Sequence, residues 1–334
     1  MKKLYLISND KIWCTKTFYT SNNDLNNIIS CLNSDYKIHL ICRKSSNKFD
    51  YRISEKFKFT STKDINEDSI NILMISITPF NFFTLIRLII LGKKIKGFVY
   101  LRSDGFLEYK IKYSLFGYYI YLFMLNITKR YLKILSCSKN FIRIKSKKIL
   151  HPSELNLNWL KKKIDNKKFK TDFLYVGRFR KEKGIIDIID IFRKYLENYT
   201  LTIVGTKKKF INKKYYNKNI KFVGPVINIK KMIDIYDSSK IFILPSYTEG
   251  FPKVISESLA RLKPVIIFEE IKHVLNNRNG IFICKRNEKS IKKTLNYILK
   301  NYKNIQNKII RNNFYTKENF KRELLGFIKN EFRN

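Results

Sequence analysis

Two glutamates, Glu249 and Glu257, stand eight positions apart in the stretch PSYTEGFPKVISESLARLKPVI, residues 245–266, with a Gly-Phe-Pro turn between them. A carboxylate can accept hydrogen bonds from two neighbouring hydroxyls, so each acid could grip a vicinal diol. Gly250 eases the turn, and Pro252 suits the first position of a helix. The backbone N–H groups of Gly250 and Phe251 would then sit at a helix entrance, where an anion is favoured. At 1.5 Å rise per residue the two backbones lie about 10 Å apart. That span fits two polar ends of one ligand better than a shared-proton pair. A plainer reading is also open: a capping acid followed by a helix-surface acid.

Cations occupy a second such turn. The strand-like DFLYVG runs into GRFRKEKG, placing Arg178 at the strand end and Lys183 five residues later, just before Gly184. A planar fork and a point charge at a helix entrance could hold a diphosphate. In so lysine-rich a chain, two solvated basic residues are the alternative. A third turn, VYLRSDGFLEY, sets Asp104 after a strand. It either orients an attacking hydroxyl or bonds its own backbone, a common role for a turn aspartate. His39 falls inside a strand, His151 between domains and His273 past a late strand, so no histidine joins this set.

The elements that must position these residues are readable as alternation. KLYLIS, KIHLIC, NILMISI, GFVYLR and LKILSCS are strand candidates in the first half, and SNNDLNNIISCLNS carries a helical apolar stripe. The polar, lysine-rich 151–170 reads as a hinge. DFLYVG, LTIVG, IKFVG, KIFILP and PVIIF then repeat the strand pattern, with GIIDIIDIFRKYLEN as a helix. Strands separated by helices give parallel sheets with right-handed crossovers. The expectation is an α/β chain of two Rossmann-like, doubly wound domains, 1–155 and 156–310, facing a central cleft. A final helix over 311–334, apolar at Phe320, Leu324, Leu325 and Ile328, would pack back on the first domain.

Composition narrows the partners less than it promises. Lys and Arg outnumber Asp and Glu 68 to 27, a formal charge of +41. Such charge suits phosphorylated substrates, nucleic acid or anionic lipid, but the joint excess of Lys, Asn and Ile also fits base composition in the coding sequence. Five cysteines without C-x-x-C spacing read as reduced thiols. The start, MKKLYLISNDK, has too short an apolar run for a signal peptide and reads as a strand. The uncharged run from Tyr113 to Thr128 is short of a membrane span.

Taken in order, GRFRKEKG, LTIVG, IKFVGPV and DIYDSSKIFILPSYTEGFPKVISESLARLKPVI resemble the C-terminal half of glycosyltransferase family 4 enzymes of the GT-B fold, including the E-x7-E signature, over roughly residues 172–284. The resemblance implies that Arg178 and Lys183 clamp a donor diphosphate beside the backbone of Gly250 and Phe251. It implies that Glu249 bonds the donor sugar, that Glu257 holds the ribose hydroxyls, and that Pro225 and Val226 line the base. It also implies retention of anomeric configuration without a nucleophilic glutamate, and no cofactor or metal; the chain has no D-x-D motif. On the acceptor side, where the family often has His or Asp, Asp104 is the candidate. Two departures stand out: no glycine-rich turn follows LYLISN, leaving Lys16 or Thr17 as substitutes, and Lys207–Lys209 replace the usual residues after LTIVG.

The activity so implied is a nucleotide-sugar-dependent hexosyl or other glycosyl transfer onto a bacterial surface glycan, free or lipid-linked, such as lipopolysaccharide, O-antigen or capsule. A GT-B epimerase is the alternative within the fold, and a basic nucleic-acid-binding protein the alternative outside it, with no nucleic-acid motif to support it. The expected setting is cytoplasmic, or peripheral on the inner face of the cytoplasmic membrane. For the latter, PFNFFTLIRLIILGKKIK and YSLFGYYIYLFMLNITKRYLK join apolar runs to cations, as lipid-interface segments do. As plain core helices the two segments need no membrane.

Overall fold

The computed structural model describes residues 1–20, 24–49, 51–53, 55–141, 144–153, 155–161, 169–208, 211–275 and 277–333. Residues 21–23 at the first helix entrance, 162–168 of the hinge, and Lys209 of the lysine run lie outside the described residues. The chain divides into two compact units, Met1–Glu154 with Lys317–Asn334, and Leu155–Thr316.

The first unit contains β1 (Lys2–Cys14), β2 (Phe18–Thr20), α1 (Asp24–Leu32), β3 (Tyr36–Lys44), β4 (Tyr51–Ile53), β5 (Lys58–Phe59) and β6 (Ser69–Ile75). It continues with α2 (Pro79–Ile90), β7 (Lys94–Leu101), α3 (Gly105–Tyr131), β8 (Lys133–Ser136) and β9 (Lys148–Ile149). Strands β3, β1, β6, β7, β8 and β9 pair in parallel in that order. Leu4, Leu6, Ile7, Ile72, Leu73 and Met74 are buried without exposure, because helices cover both faces of such a sheet and its strands read as apolar runs. The glycine-free segment after LYLISN is a surprise. β1 shifts register between Ile7 and Lys11, runs on to Cys14, and turns through Thr15–Thr17 into antiparallel β2, which pairs with β4. Exposed Lys16 stands in that turn.

The second unit contains α4 (Leu157–Leu160), β10 (Thr171–Val176), α5 (Ile185–Tyr195), β11 (Leu201–Val204), β12 (Ile220–Val223), α6 (Ile229–Asp237) and β13 (Ser239–Leu244). After these come α7 (Lys253–Ala260), β14 (Val265–Phe268), β15 (Ile281–Cys284), α8 (Glu288–Lys300) and α9 (Tyr302–Ile309). Its six strands are all parallel in the order β12-β11-β10-β13-β14-β15. All ten strands expected from sequence are present; IFIC, now β15, is an addition. The direction of winding reverses between β10 and β13, and ligands of such sheets sit outside the carboxyl ends at that reversal. Both motif turns, GRFRKEKG after β10 and PSYTEGFP after β13, leave the sheet there.

The last helix, α10 (Lys317–Arg333), belongs to the first unit. Phe320, Leu324 and Ile328 are buried, and Phe327 and Phe332 lie 5.1 and 5.4 Å from the Phe98 ring. Glu331 accepts from Lys133 and Lys147, each at 2.7 Å, and Lys329 reaches Asp35 at 2.5 Å.

The two apolar segments weighed as core helices are only half so. α2 buries Phe82, Leu85 and Leu88, and α3 buries Tyr121, Met124 and Leu125, while their other faces carry large exposed apolar residues. α3 breaks at Tyr113–Ser114, where Ser114 has φ 57° and ψ −148°. No described helix is long and apolar enough to cross a membrane. Among the described residues all five cysteines are free, and all but Cys14 are buried.

Candidate active site

Backbone packing joins the two motif turns before any side chain does. Gly184 has φ +60°, and a Cβ there would lie 2.0 Å from the carbonyl oxygen of Pro245, so only glycine lets the β10–α5 turn close on the end of β13. The Tyr247 N–H donates to the Glu182 carbonyl at 3.0 Å, and the Tyr247 hydroxyl to Asp187 at 2.7 Å. This lacing puts Lys183 directly on Glu249: Nζ donates to Oε1 at 2.7 Å, with the two side chains 20% and 12% exposed. The Ser246 hydroxyl donates to the same Oε1 at 2.6 Å. In such partial burial an ion pair is stronger than on an open surface, and losing one partner leaves a poorly solvated charge.

Three side chains that sequence reading passed over support this pair. His273 places Nε2 2.8 Å from the Glu249 carbonyl oxygen, because the turn Glu269–Leu275 folds back over the site. Arg286 stacks its guanidinium 4.1 Å from the Tyr247 ring and 4.4 Å from that of Phe268. It donates to the carbonyls of Pro245 at 2.6 Å and Ser246 at 3.3 Å, and to Glu270 at 2.7 Å. Arg278 lies 5.7 Å from the Phe251 ring and donates to Ser256 at 3.0 Å and to the Val274 carbonyl at 2.7 Å. Burial lowers its pKa to about 10. None of the three belongs to a local motif; β14 and β15 bring them in. Ser246, three residues before Glu249, was the one with a local signal.

The remaining expected residues divide. Arg178 is exposed at the carboxyl end of β10, its carbonyl accepting from the Tyr175 hydroxyl at 3.0 Å. Burial raises the pKa of Tyr175, and the Glu249 charge raises it further. Glu257, in α7, accepts from the Tyr236 hydroxyl at 2.9 Å. That phenol's pKa is pushed well up, first by burial and then by the Glu257 charge. Pro252 is the cap of α7 and Lys253 its first residue, one later than the sequence suggested. Gly250 is buried and Phe251 half-buried in the turn before it. Pro225 is half-buried after β12, and Val226 packs into the hydrophobic core of the unit. Asp104 is buried, and its carboxylate caps α3 by accepting from the Leu107 N–H at 3.2 Å. Exposed Lys208 sits 4.7 Å from the Tyr216 ring.

Residues 159–315 match the family model of glycosyl transferases group 1. The capsular polysaccharide biosynthesis glycosyltransferase CapH of Staphylococcus aureus is 34% identical over 152 residues, 36% of this chain and 42% of that protein. The chain spans about half the length of the curated relatives it matches. Among solved structures, sucrose-phosphate synthase from Thermosynechococcus elongatus superposes with a TM-score of 0.73 at 13% identity, covering 100% of both chains. Anabaena HepE, solved in complex with UDP-glucose, gives 0.67 at 10% identity, covering 99% of this chain and 100% of HepE. The fold is therefore that of the GT-B glycosyltransferases.

Proposed function

We propose that the protein is a retaining glycosyltransferase of the family 4 kind, moving a hexosyl or related residue from a nucleotide sugar to a growing bacterial surface glycan. The observation that carries the proposal is the Lys183–Glu249 pair, built where the winding of the second sheet reverses. Lys183 and exposed Arg178 take the donor diphosphate, with the turn of Gly250 and Phe251 beside it. Lys183 already bonds one carboxylate, so an arriving diphosphate competes with Glu249 for it. Released from the ammonium, Glu249 turns its oxygens to the sugar hydroxyls, while Ser246 keeps Oε1 in register. Glu257, braced by Tyr236, takes the ribose diol, and Pro225 borders the base.

In this reading the cations and helix entrances stabilise charge building on the leaving diphosphate, the work a metal does elsewhere. Glu249 serves as a sugar ligand, and no covalent glycosyl intermediate is invoked. The UDP-glucose complex of HepE supports a nucleotide-sugar donor, and the capsule assignment of CapH supports a surface polysaccharide as the product class. We extend the proposal to a cytoplasmic enzyme working at the inner membrane face on a glycan or lipid-linked glycan.

The test is release of nucleoside diphosphate from a panel of uridine, guanosine and thymidine diphosphate sugars. One donor is expected to be turned over by the wild type, slowly even without acceptor, with Glu249→Ala and Lys183→Ala inactive but folded. Turnover that survives both substitutions would refute the assignment.

A further inference from the structure

Helices α2 and α3 of the first unit turn an apolar face outward. Phe83, Ile90, Leu115, Phe116, Tyr119 and Phe123 are each 60% to 78% exposed. Positions 83 and 90 lie two turns apart on α2, and 116, 119 and 123 fall on one stripe of α3. The stripes adjoin, since the Phe82 ring meets Phe83 at 5.5 Å and Phe123 at 5.9 Å. Contiguity is what separates this face from the single exposed apolar residues any surface carries.

The helix is also distorted there. Ser114 holds a backbone region that side chains rarely adopt, between exposed Tyr113 and Leu115. Gly117 permits the bend: a Cβ at that position would lie 2.2 Å from the Tyr109 carbonyl oxygen. Strain that lifts apolar side chains into water needs a partner to offset it.

Charge says which partner. From residue 79 to 131 nine Lys and Arg stand against two acids, Asp104 and Glu108. Arg87, Lys94, Lys129 and Arg130 are exposed among and beside the aromatics. Two copies joined through this face would bring like charges together, which disfavours a dimer. Nucleic acid would leave Ile90 and Leu115 unmatched. Aromatic and aliphatic side chains rimmed by cations suit the headgroup layer of an anionic bilayer.

We propose that the α2–α3 face docks the protein on anionic lipid, with Leu115, Phe116 and Tyr119 entering the headgroup layer and Arg87, Lys94, Lys129 and Arg130 meeting lipid phosphates. The proposal rests on the membrane setting given above and gives it residues; it is independent of the donor chemistry. Because the chain carries +41, anionic vesicles attract it anyway, so the test must separate charge from insertion.

Flotation is run with phosphatidylcholine vesicles and with vesicles containing about a third phosphatidylglycerol, at low salt and at about 0.5 M salt. The wild type is expected on the anionic vesicles only, with part of the binding surviving high salt. Phe116→Ser with Tyr119→Ser should lower partitioning by about tenfold or more and abolish the salt-resistant fraction. Lys129→Gln or Arg130→Gln should cost roughly fivefold each at low salt. The proposal is overturned if the aromatic variant floats like the wild type, or if the wild type does not float. It is equally overturned if light scattering finds a wild-type dimer that the aromatic variant abolishes while vesicles bind neither. Melting shifts by nucleotide sugars, unchanged in the aromatic variant, separate failure here from failure of the donor assignment.

Discussion

The carboxyl edge of β10 and β13 and the outer face of α2 and α3 handle charge and apolar surface in opposite ways. At the first, Lys183, Glu249, Arg286 and Glu270 sit in paired contact above strands that bury Phe173, Leu174, Phe242, Ile243 and Leu244. At the second, exposed cations outnumber the acids of the segment and large rings stand in water. The first is a constellation, in which a few atoms at fixed distances do the chemistry. The second is a texture, in which many side chains contribute small, additive amounts. A single substitution should therefore be severe at the one and mild at the other.

The sharpest way to break the contrast is Lys183→Ala or Glu249→Ala. Each should reduce transfer by about 10²–10³-fold, the usual scale for losing a group that stabilises charge in the transition state. Initial-rate assays with the preferred donor check this, and a loss below tenfold would put the pair outside the chemistry. Next is Gly184→Ala, which adds a methyl group against the Pro245 carbonyl at positive φ. It should cost about 2 kcal/mol or more and lower the melting temperature by roughly 4 to 8 °C.

Glu257→Ala should be milder, raising KM for the donor about tenfold with a smaller change in kcat, because a ribose contact binds ground and transition states alike. On the α2–α3 face, Phe116→Ser should leave the melting temperature within the spread of neutral surface changes, about 0.5 kcal/mol, since Phe116 is 72% exposed. A large destabilisation there would mean the face is packed in solution. The smallest effect belongs to the ion pairs of α10. Lys329, then Ser34, hold the Asp35 pKa below its ordinary value, and Lys133 and Lys147 do the same for Glu331. Depressed carboxylates stabilise the fold above their unfolded values, and that contribution disappears as pH falls through the folded ones. Acid titration of stability should show it below the ordinary carboxylate values of 3.8 and 4.5, worth only about a few tenths of a kcal/mol at exposed sites and reduced by salt.

The same contrast explains what could be read from sequence. Strands such as KIFILP and PVIIF announce themselves because burial on both faces makes the core of each an unbroken apolar run. The two motif turns are legible because Gly184, Gly250 and Pro252 mark where the chain must leave the sheet. Arg286 and His273 were illegible, since a fold-back turn and a late strand deliver them to the site with no spacing rule relative to Glu249. The β1–β2 hairpin was missed because its turn, Thr15–Thr17, lacks the glycine or asparagine that marks such turns. The open face of α3 was ambiguous for another reason. A helix apolar on both sides shows where a core could be, but not which side is covered.

The central claim is that the paired turns of the second unit hold a nucleotide sugar, and binding tests it more directly than turnover. Melting curves with each donor at millimolar concentration, for wild type, Lys183→Ala and Glu249→Ala, are the measurement. At about a hundred times its dissociation constant one donor should stabilise the wild type by about 2.7 kcal/mol, roughly 5 to 10 °C for a unit of this size. Both variants should lose most of that shift. No shift from any nucleotide or nucleotide sugar, or an equal shift in all three proteins, would contradict the account.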